Sequence, residues 1–341
     1  MQLFIGTYTE GTQSHGIYTL QFDERTAQIT LLSCCSDCRN PSFLTQNSDW
    51  LYAAEELGDC GQIASFHIDA KGRLTRINQK SIPGSLTCHV QLSNKNNTLY
   101  AANYGSGCYF GCPTSSDGLC DPIMHLHDVG CGPNPERQEG PHAHSVNCSA
   151  DGHELLVADL GTDHLYRYQI QVQGTLRPHP IQPKIAFPSG QGPRHVAFHP
   201  NGKFLYVVTE LGNRVFQFTL HDGIWESSGS WSTLPNSFHG DNLAADIHLS
   251  PSGNYLYASN RGADDIAVFT VEANTGNLTL QAHIPAEGKG PRNFALLADG
   301  RYLLIANQNS DNLVLYSIEG SHATFISSTP IPSPVCICAR Q

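Results

Sequence analysis

Three side chains with acid–base or anion-binding chemistry stand at one position of a recurring pattern. His144, Arg194 and Arg292 each lie twelve residues before the second member of a Leu-Tyr-like dipeptide, where two other units carry Cys88 and Ala245. Four residues after the same marker stand Tyr8, Glu56, Tyr104, Leu160, Glu210, Arg261 and Gln308. Arginine forks bind carboxylate or phosphate bidentately. A carboxylate or imidazole beside them serves as a general base, and an arginine steadies a developing oxyanion. Such a set reads as a site for a small, anionic, oxygen-rich ligand. The sequence has no Gly-x-Ser-x-Gly and no His-Glu-x-x-His. No covalent enzyme intermediate and no metal or other cofactor is therefore expected.

The marker defines the elements that must position these groups. Its second member falls at Phe4, Tyr52, Tyr100, Leu156, Tyr206, Tyr257 and Leu304, at intervals of 47 to 56 residues. Each unit reads as a short strand, a polar turn with glycine and a second strand, as in Gly192-Pro-Arg-His-Val-Ala-Phe-His-Pro-Asn-Gly-Lys-Phe-Leu-Tyr206. Third and fourth strands follow, as in Arg214-Val-Phe-Gln-Phe-Thr-Leu220 and Gly72-Arg-Leu-Thr-Arg-Ile-Asn78. Helical periodicity is absent. Seven units of four short strands predict an all-β, seven-bladed β-propeller occupying residues 1–341 as one domain. The first unit lacks its opening strand, and Ser333-Pro-Val-Cys-Ile-Cys-Ala339 has the pattern to supply it. The ring is thus expected to close by the C-terminal strand completing the N-terminal blade, which removes free sheet edges.

Antiparallel first and second strands put the two recurring positions at one mouth of the central channel. His144, Arg194 and Arg292 are then expected beside Glu210, Arg261, Tyr8, Tyr104 and Gln308. His142 shares a strand face with His144, and either could be the working histidine. Asp246 and His248, spaced i, i+2, are a further candidate pair, as substrate contacts or as a buried hydrogen-bonded pair. For the arginines and Glu210 the plain structural alternative is an ion pair between blades.

Composition narrows the remaining classes. The 341 residues carry only 14% charged side chains and a formal net charge of −11. That balance gives no basic face for nucleic acid. No stretch approaches the ~18 apolar residues of a membrane helix, and Met1–Thr7 has no basic leader region. A cytoplasmic protein, monomeric or weakly dimeric, is the expectation. The 12 cysteines are irregularly spaced, and buried or loop thiols are expected rather than disulfides. The longest interval holds an excursion from Cys108 to Glu139, rich in Gly, Pro, Cys and Asp. It reads as a strand near Met124–His127 plus a surface loop, with a local metal or redox cluster at 108–131 as the lesser alternative.

Gln138-Glu-Gly-Pro-His-Ala-His-Ser145, the Gly192-Pro-Arg-His run with Thr209-Glu-Leu211, and Ala244-Ala-Asp-Ile-His248 with Asn260-Arg261 together resemble the propeller-type lactonase family. That family includes bacterial 6-phosphogluconolactonases and fungal carboxy-muconate lactonizing enzymes. The resemblance spans essentially the whole chain, although the 108–131 excursion departs from the family pattern. It implies that His144, Arg194, Glu210 and Arg261 carry catalysis. It also implies metal-independent hydrolysis of a sugar-phosphate lactone, 6-phospho-D-glucono-1,5-lactone, in the pentose phosphate pathway. Another anionic sugar lactone, a muconate lactonization and a non-enzymatic binding propeller are the alternatives.

Overall fold

The computed structural model describes residues 1–93 and 95–340. Seven four-stranded antiparallel blades surround a central channel, and no helix interrupts them among the described residues. From the channel outward, blade 2 consists of Pro41–Gln46, Trp50–Glu56, Gly61–Ile68 and Leu74–Ile82. Blade 5 consists of Pro193–Phe198, Phe204–Thr209, Arg214–His221 and Ile224–Ser232. Blades 6 and 7 repeat this plan from Leu243 and Pro291. In blade 4 the outermost strand is split into Leu176–Pro178 and Lys184–Ala186. In blade 3 the outer strand is Met124–His127, where the excursion was expected to hold one.

Blade 1 closes the ring. Pro334–Ala339 pairs antiparallel with Gln2–Thr7, matching Leu3 to Ala339 and Ile5 to Ile337. Cys336 packs with Phe4 and Leu44 toward blade 2, while Ile337 packs with Leu3 and Leu304 toward blade 7. This strand of blade 1 is therefore wedged between blades 2 and 7.

The apolar marker residues make the core. Tyr52, Tyr100, Tyr206, Tyr257 and Phe4 are fully buried between blades. Two of the tyrosines also explain the outer-turn glycines. Tyr206 Oη donates to the Gly276 carbonyl (2.6 Å) and Tyr100 Oη to the Gly174 carbonyl (2.9 Å), each in the next blade. Both glycines have positive φ, and a Cβ on Gly174 would lie 2.1 Å from Thr98 Oγ1. The buried hydroxyls thus find partners, as buried polar atoms must.

Deleting the chain from Pro334 onward removes buried Val335, Cys336 and Ile337 and reopens two sheet edges. At roughly 1.5–3 kcal/mol per large apolar side chain, the loss is about 5 kcal/mol, or roughly 10 °C or more in Tm. Thermal unfolding followed by circular dichroism checks this; an unchanged Tm contradicts the closure.

Candidate active site

A β-bulge recurs at the start of every innermost strand. In blade 5, Pro193 pairs with Thr209 and His195 with Val208, leaving Arg194 outside the ladder. The same skip isolates His144, Arg292, Cys88, Ser42 and Val335, and in blade 6 it falls across Ala245 and Asp246. A bulge re-aims the extra side chain. Strand alternation alone would not send both Arg194 and His195 toward the axis; the bulge does. The recurring position read from the sequence is this bulge.

A second repeated bond sets the partner position beside it. The Glu210 amide donates to the Gly192 carbonyl (2.8 Å), Gln308 to Gly290 (3.0 Å), Tyr104 to Leu86 (2.8 Å) and Leu160 to His142 (2.9 Å). Gly192 and Gly290 sit at φ +64° and +67°, which only glycine adopts cheaply. Their amides are held by Asp163 Oδ1 (2.7 Å) and Asp264 Oδ1 (2.8 Å) from the preceding blades. The Gly-Pro-Arg runs are therefore a left-handed residue, a strand start and a bulge in succession.

These devices form a cavity of about 270 Å³ at one mouth, at the small end for ligand pockets. Tyr8, Glu56, Cys88, Tyr104, Arg137, His144, Glu210, Arg261 and Arg292 line it, with Leu86 and Leu243. Glu210 is its hub. Oε2 meets Arg194 Nε and Arg261 Nη2, both at 2.9 Å, and lies 3.7 Å from His144 Nε2; Oε1 accepts from Arg137 Nη2 at 2.5 Å. Burial pushes the carboxyl pKa up, but the charges of Arg261, Arg194 and Arg137 outweigh burial and hold it well below the usual range. Burial, reinforced by Arg194, holds His144 well below its ordinary pKa, so the imidazole is neutral at pH 7. Its Nδ1 is buried and has no hydrogen-bond partner among the described residues.

The arginines differ in how they are satisfied. Arg194 lies sealed beneath the cavity floor, with Nη1 donating to the Ala245 carbonyl (2.7 Å) and facing His195 Nε2 (3.0 Å). Arg261 is braced by the carbonyls of Leu243 and Ala244, and burial, only partly offset by Glu210, lowers it to about 10. Arg292 is largely buried over the Tyr8 ring (5.4 Å), with Glu56 at 3.9 Å. Its guanidinium donates no hydrogen bond to any described residue. Such a buried, unspent donor fork is costly unless a ligand uses it.

Four expected contacts lie elsewhere. His142 precedes the bulge, stacks on the Tyr104 ring (4.5 Å) and pairs Nδ1 with the Tyr104 carbonyl (2.8 Å), so it backs the wall and leaves the mouth to His144. Gln308 is half-buried at the rim and does not line the cavity. Asp246 and His248 do not line it either; they border a larger hollow of about 350 Å³ at the channel's opposite mouth. There Asp246 Oδ1 faces His195 Nδ1 (2.8 Å), and Oδ2 accepts from His248 Nε2 (2.9 Å) and Asn293 Nδ2 (2.6 Å). That is a hydrogen-bonded pair, with Asp246 buried and His248 partly exposed. Volume does not decide between the two mouths, because the arginines gather at the smaller one.

Arg137 was not anticipated. It belongs to the excursion, outside any repeat position, and only the neighbouring Gln138-Glu-Gly-Pro-His motif pointed toward its place. The 12 cysteines are free thiols, and among the described residues no three His, Cys, Asp or Glu side chains converge as a metal site. Among the described residues no helix is long and apolar enough to cross a membrane.

The seven-bladed β-propeller lactonase family model matches residues 2–339. The chain belongs to this family. A 6-phosphogluconolactonase of Bacillus subtilis is 34% identical over 297 residues, covering 85% of this chain and 83% of the relative. The periplasmic gluconolactonase of Pseudomonas aeruginosa superposes with a TM-score of 0.91 at 30% identity, covering 98% of both chains. A Lactobacillus plantarum structure gives 0.92 at 31%, again over 98% of each.

Opposite stability effects are expected from two site substitutions. Glu210→Gln strips the shared counter-ion from buried Arg194 and should lower Tm by about 5–10 °C. Arg292→Gln removes a buried cation that donates no hydrogen bond and has only a loose counter-ion, Glu56 at 3.9 Å, and should leave Tm unchanged or raise it by ~2–4 °C. Differential scanning calorimetry reads both.

Proposed function

We propose that this lactonase hydrolyses 6-phospho-D-glucono-1,5-lactone to 6-phosphogluconate. The observation that carries the reading is the unspent guanidinium of Arg292, facing a cavity that also holds a carboxylate–imidazole pair. Counting Arg194 beneath the floor, four arginines meet two carboxylates, Glu56 and Glu210, so the mouth has an excess of positive charge in a protein of net charge −11. That excess fits a phosphorylated, acid-forming substrate, and the relative's name points to the same compound.

In this mechanism a water at Glu210 attacks the lactone carbonyl carbon. Glu210, with neutral His144 beside it, takes the water's proton. Arg261 and Arg292 stabilise the tetrahedral oxyanion. Collapse breaks the bond from the carbonyl carbon to the ring oxygen, which takes up the proton and leaves as the sugar hydroxyl. Arg194 does not reach the substrate; it fixes Glu210 from below. The carboxylate is a poor base while three arginines hold it, so one of them must let go during turnover. Because phosphorylated sugars are confined by membranes, the reading places the enzyme in the cytoplasm and in the pentose phosphate pathway.

A coupled assay should show loss of 6-phosphogluconolactone well above spontaneous hydrolysis. Glu210→Gln, assayed below its Tm, should lower kcat by ~10²–10⁴, the size of a general-base contribution. A variant within about threefold of wild type rejects that role.

A further inference from the structure

Arg137 differs from the other cavity arginines in every respect that bears on ligand capture. It comes from the rim loop between blades 3 and 4, whereas Arg194, Arg261 and Arg292 come from blade strands. Its side chain is 33% exposed, against 3%, 15% and 17% for those three. It alone contacts Glu210 Oε1. Its Nε and Nη2 share the Tyr104 hydroxyl (3.2 and 3.1 Å), and its Nη1 donates to nothing among the described residues.

The loop beneath it is tied down by its own backbone, whereas the side chain is held only through Tyr104 and Glu210. Gln138 is fully buried and donates Nε2 to the Leu160 carbonyl (2.8 Å). The Gln138 amide closes a turn on the Asn134 carbonyl (2.8 Å), and the Gly132 amide bonds back to Gln138 (2.9 Å). Asn134 Oδ1 accepts the amides of Glu136 and Arg137. The backbone therefore presents a guanidinium at a fixed point of the rim, with one edge free.

We propose that Arg137 is the clamp for the substrate's phosphate, and that engaging this dianion draws its guanidinium off Glu210 Oε1 and leaves that oxygen free for the attacking water. This rests on the proposed function and supplies the release that the mechanism needs. The other two ion pairs cannot give way as readily. Arg194 is sealed and held by the Ala245 carbonyl, and Arg261 is braced by two backbone carbonyls. A phosphate dianion offers Arg137 more charge and more acceptor oxygens than one carboxylate oxygen does. Binding of the non-reacting phosphate is thereby spent on activating the base, a use of remote binding energy. An unphosphorylated lactone leaves the clamp on Glu210.

The experiment compares wild type, Arg137→Gln and Arg137→Lys on 6-phosphogluconolactone and on glucono-1,5-lactone. Calorimetric binding of 6-phosphogluconate and gluconate to the same proteins is measured alongside. Arg137→Gln should lose about 10- to 100-fold in kcat/KM on the phosphorylated lactone and a similar factor in 6-phosphogluconate affinity, the scale of charge-assisted contacts. Because it frees Glu210 Oε1 permanently, it should raise turnover of the unphosphorylated lactone toward the level wild type reaches with added phosphite, and leave gluconate affinity within about threefold. Arg137→Lys should recover part of the phosphate-dependent loss. Added phosphite dianion should accelerate glucono-1,5-lactone turnover by wild type and not by Arg137→Gln. Equal losses on both substrates, or phosphite activation that survives Arg137→Gln, overturns the proposal. A wild type inactive on both lactones sinks the proposed function instead, and the calorimetry then decides the clamp by itself.

Discussion

One surplus residue at the start of each inner strand governs this molecule. Packed blades demand small and apolar side chains on both faces of every sheet, and a ladder in register would turn each inner-strand residue toward a neighbouring blade. The bulge takes one residue per blade out of that obligation. Its side chain faces the axis, pairs with no ladder partner and is free to be His144, Arg194 or Arg292. The apolar interfaces around it continue undisturbed, as the buried cluster joining Val208, Ala244 and Ala258 shows.

Freed from packing, those side chains still face the cost of burying charge. Glu210 solves most of it by serving Arg194, Arg261 and Arg137 at once. The relay continues inward from Arg194 to His195 and from His195 to Asp246, so the two mouths share one polar spine. Burial holds His195 at about 4, with Arg194 adding to the effect, so it is neutral and can accept from the arginine while donating to Asp246. Arg292 has only Glu56, at 3.9 Å, and donates no hydrogen bond to a described residue, so its donor fork is what a ligand would meet.

The ring, its seven units and its closing strand were legible in the sequence because the Leu-Tyr-like marker recurs wherever a blade needs a large buried side chain. The mouth was legible for the same reason: Glu210 and Arg261 stand at one offset from it, His144, Arg194 and Arg292 at another. What periodicity could not show was the bulge itself, since pairing rather than composition defines it. Hence His195, one step beyond its bulge, and Asp246, within the blade 6 bulge, were not expected as an axial pair, and the sequence left Asp246 and His248 open between substrate contacts and a hydrogen-bonded pair. Arg137 was hidden by the converse problem. It owes its position to a turn built on Asn134 and Gln138, which repeats nowhere else, so no register could find it.

The closing strand has a consequence in time as well as in space. Leu3 meets Ala339 across nearly the whole length of the chain, and pairing so distant is slow to form. During synthesis blades 2 to 7 can each collapse as they emerge, yet blade 1 keeps an open edge until Pro334–Ala339 has emerged. Residues from blades 1 and 7, Tyr8 and Arg292 among them, reach their places at the mouth only when that edge is covered. The nascent chain is thus catalytically silent and aggregation-exposed until the final strand docks, and activity begins with a single, late event of assembly.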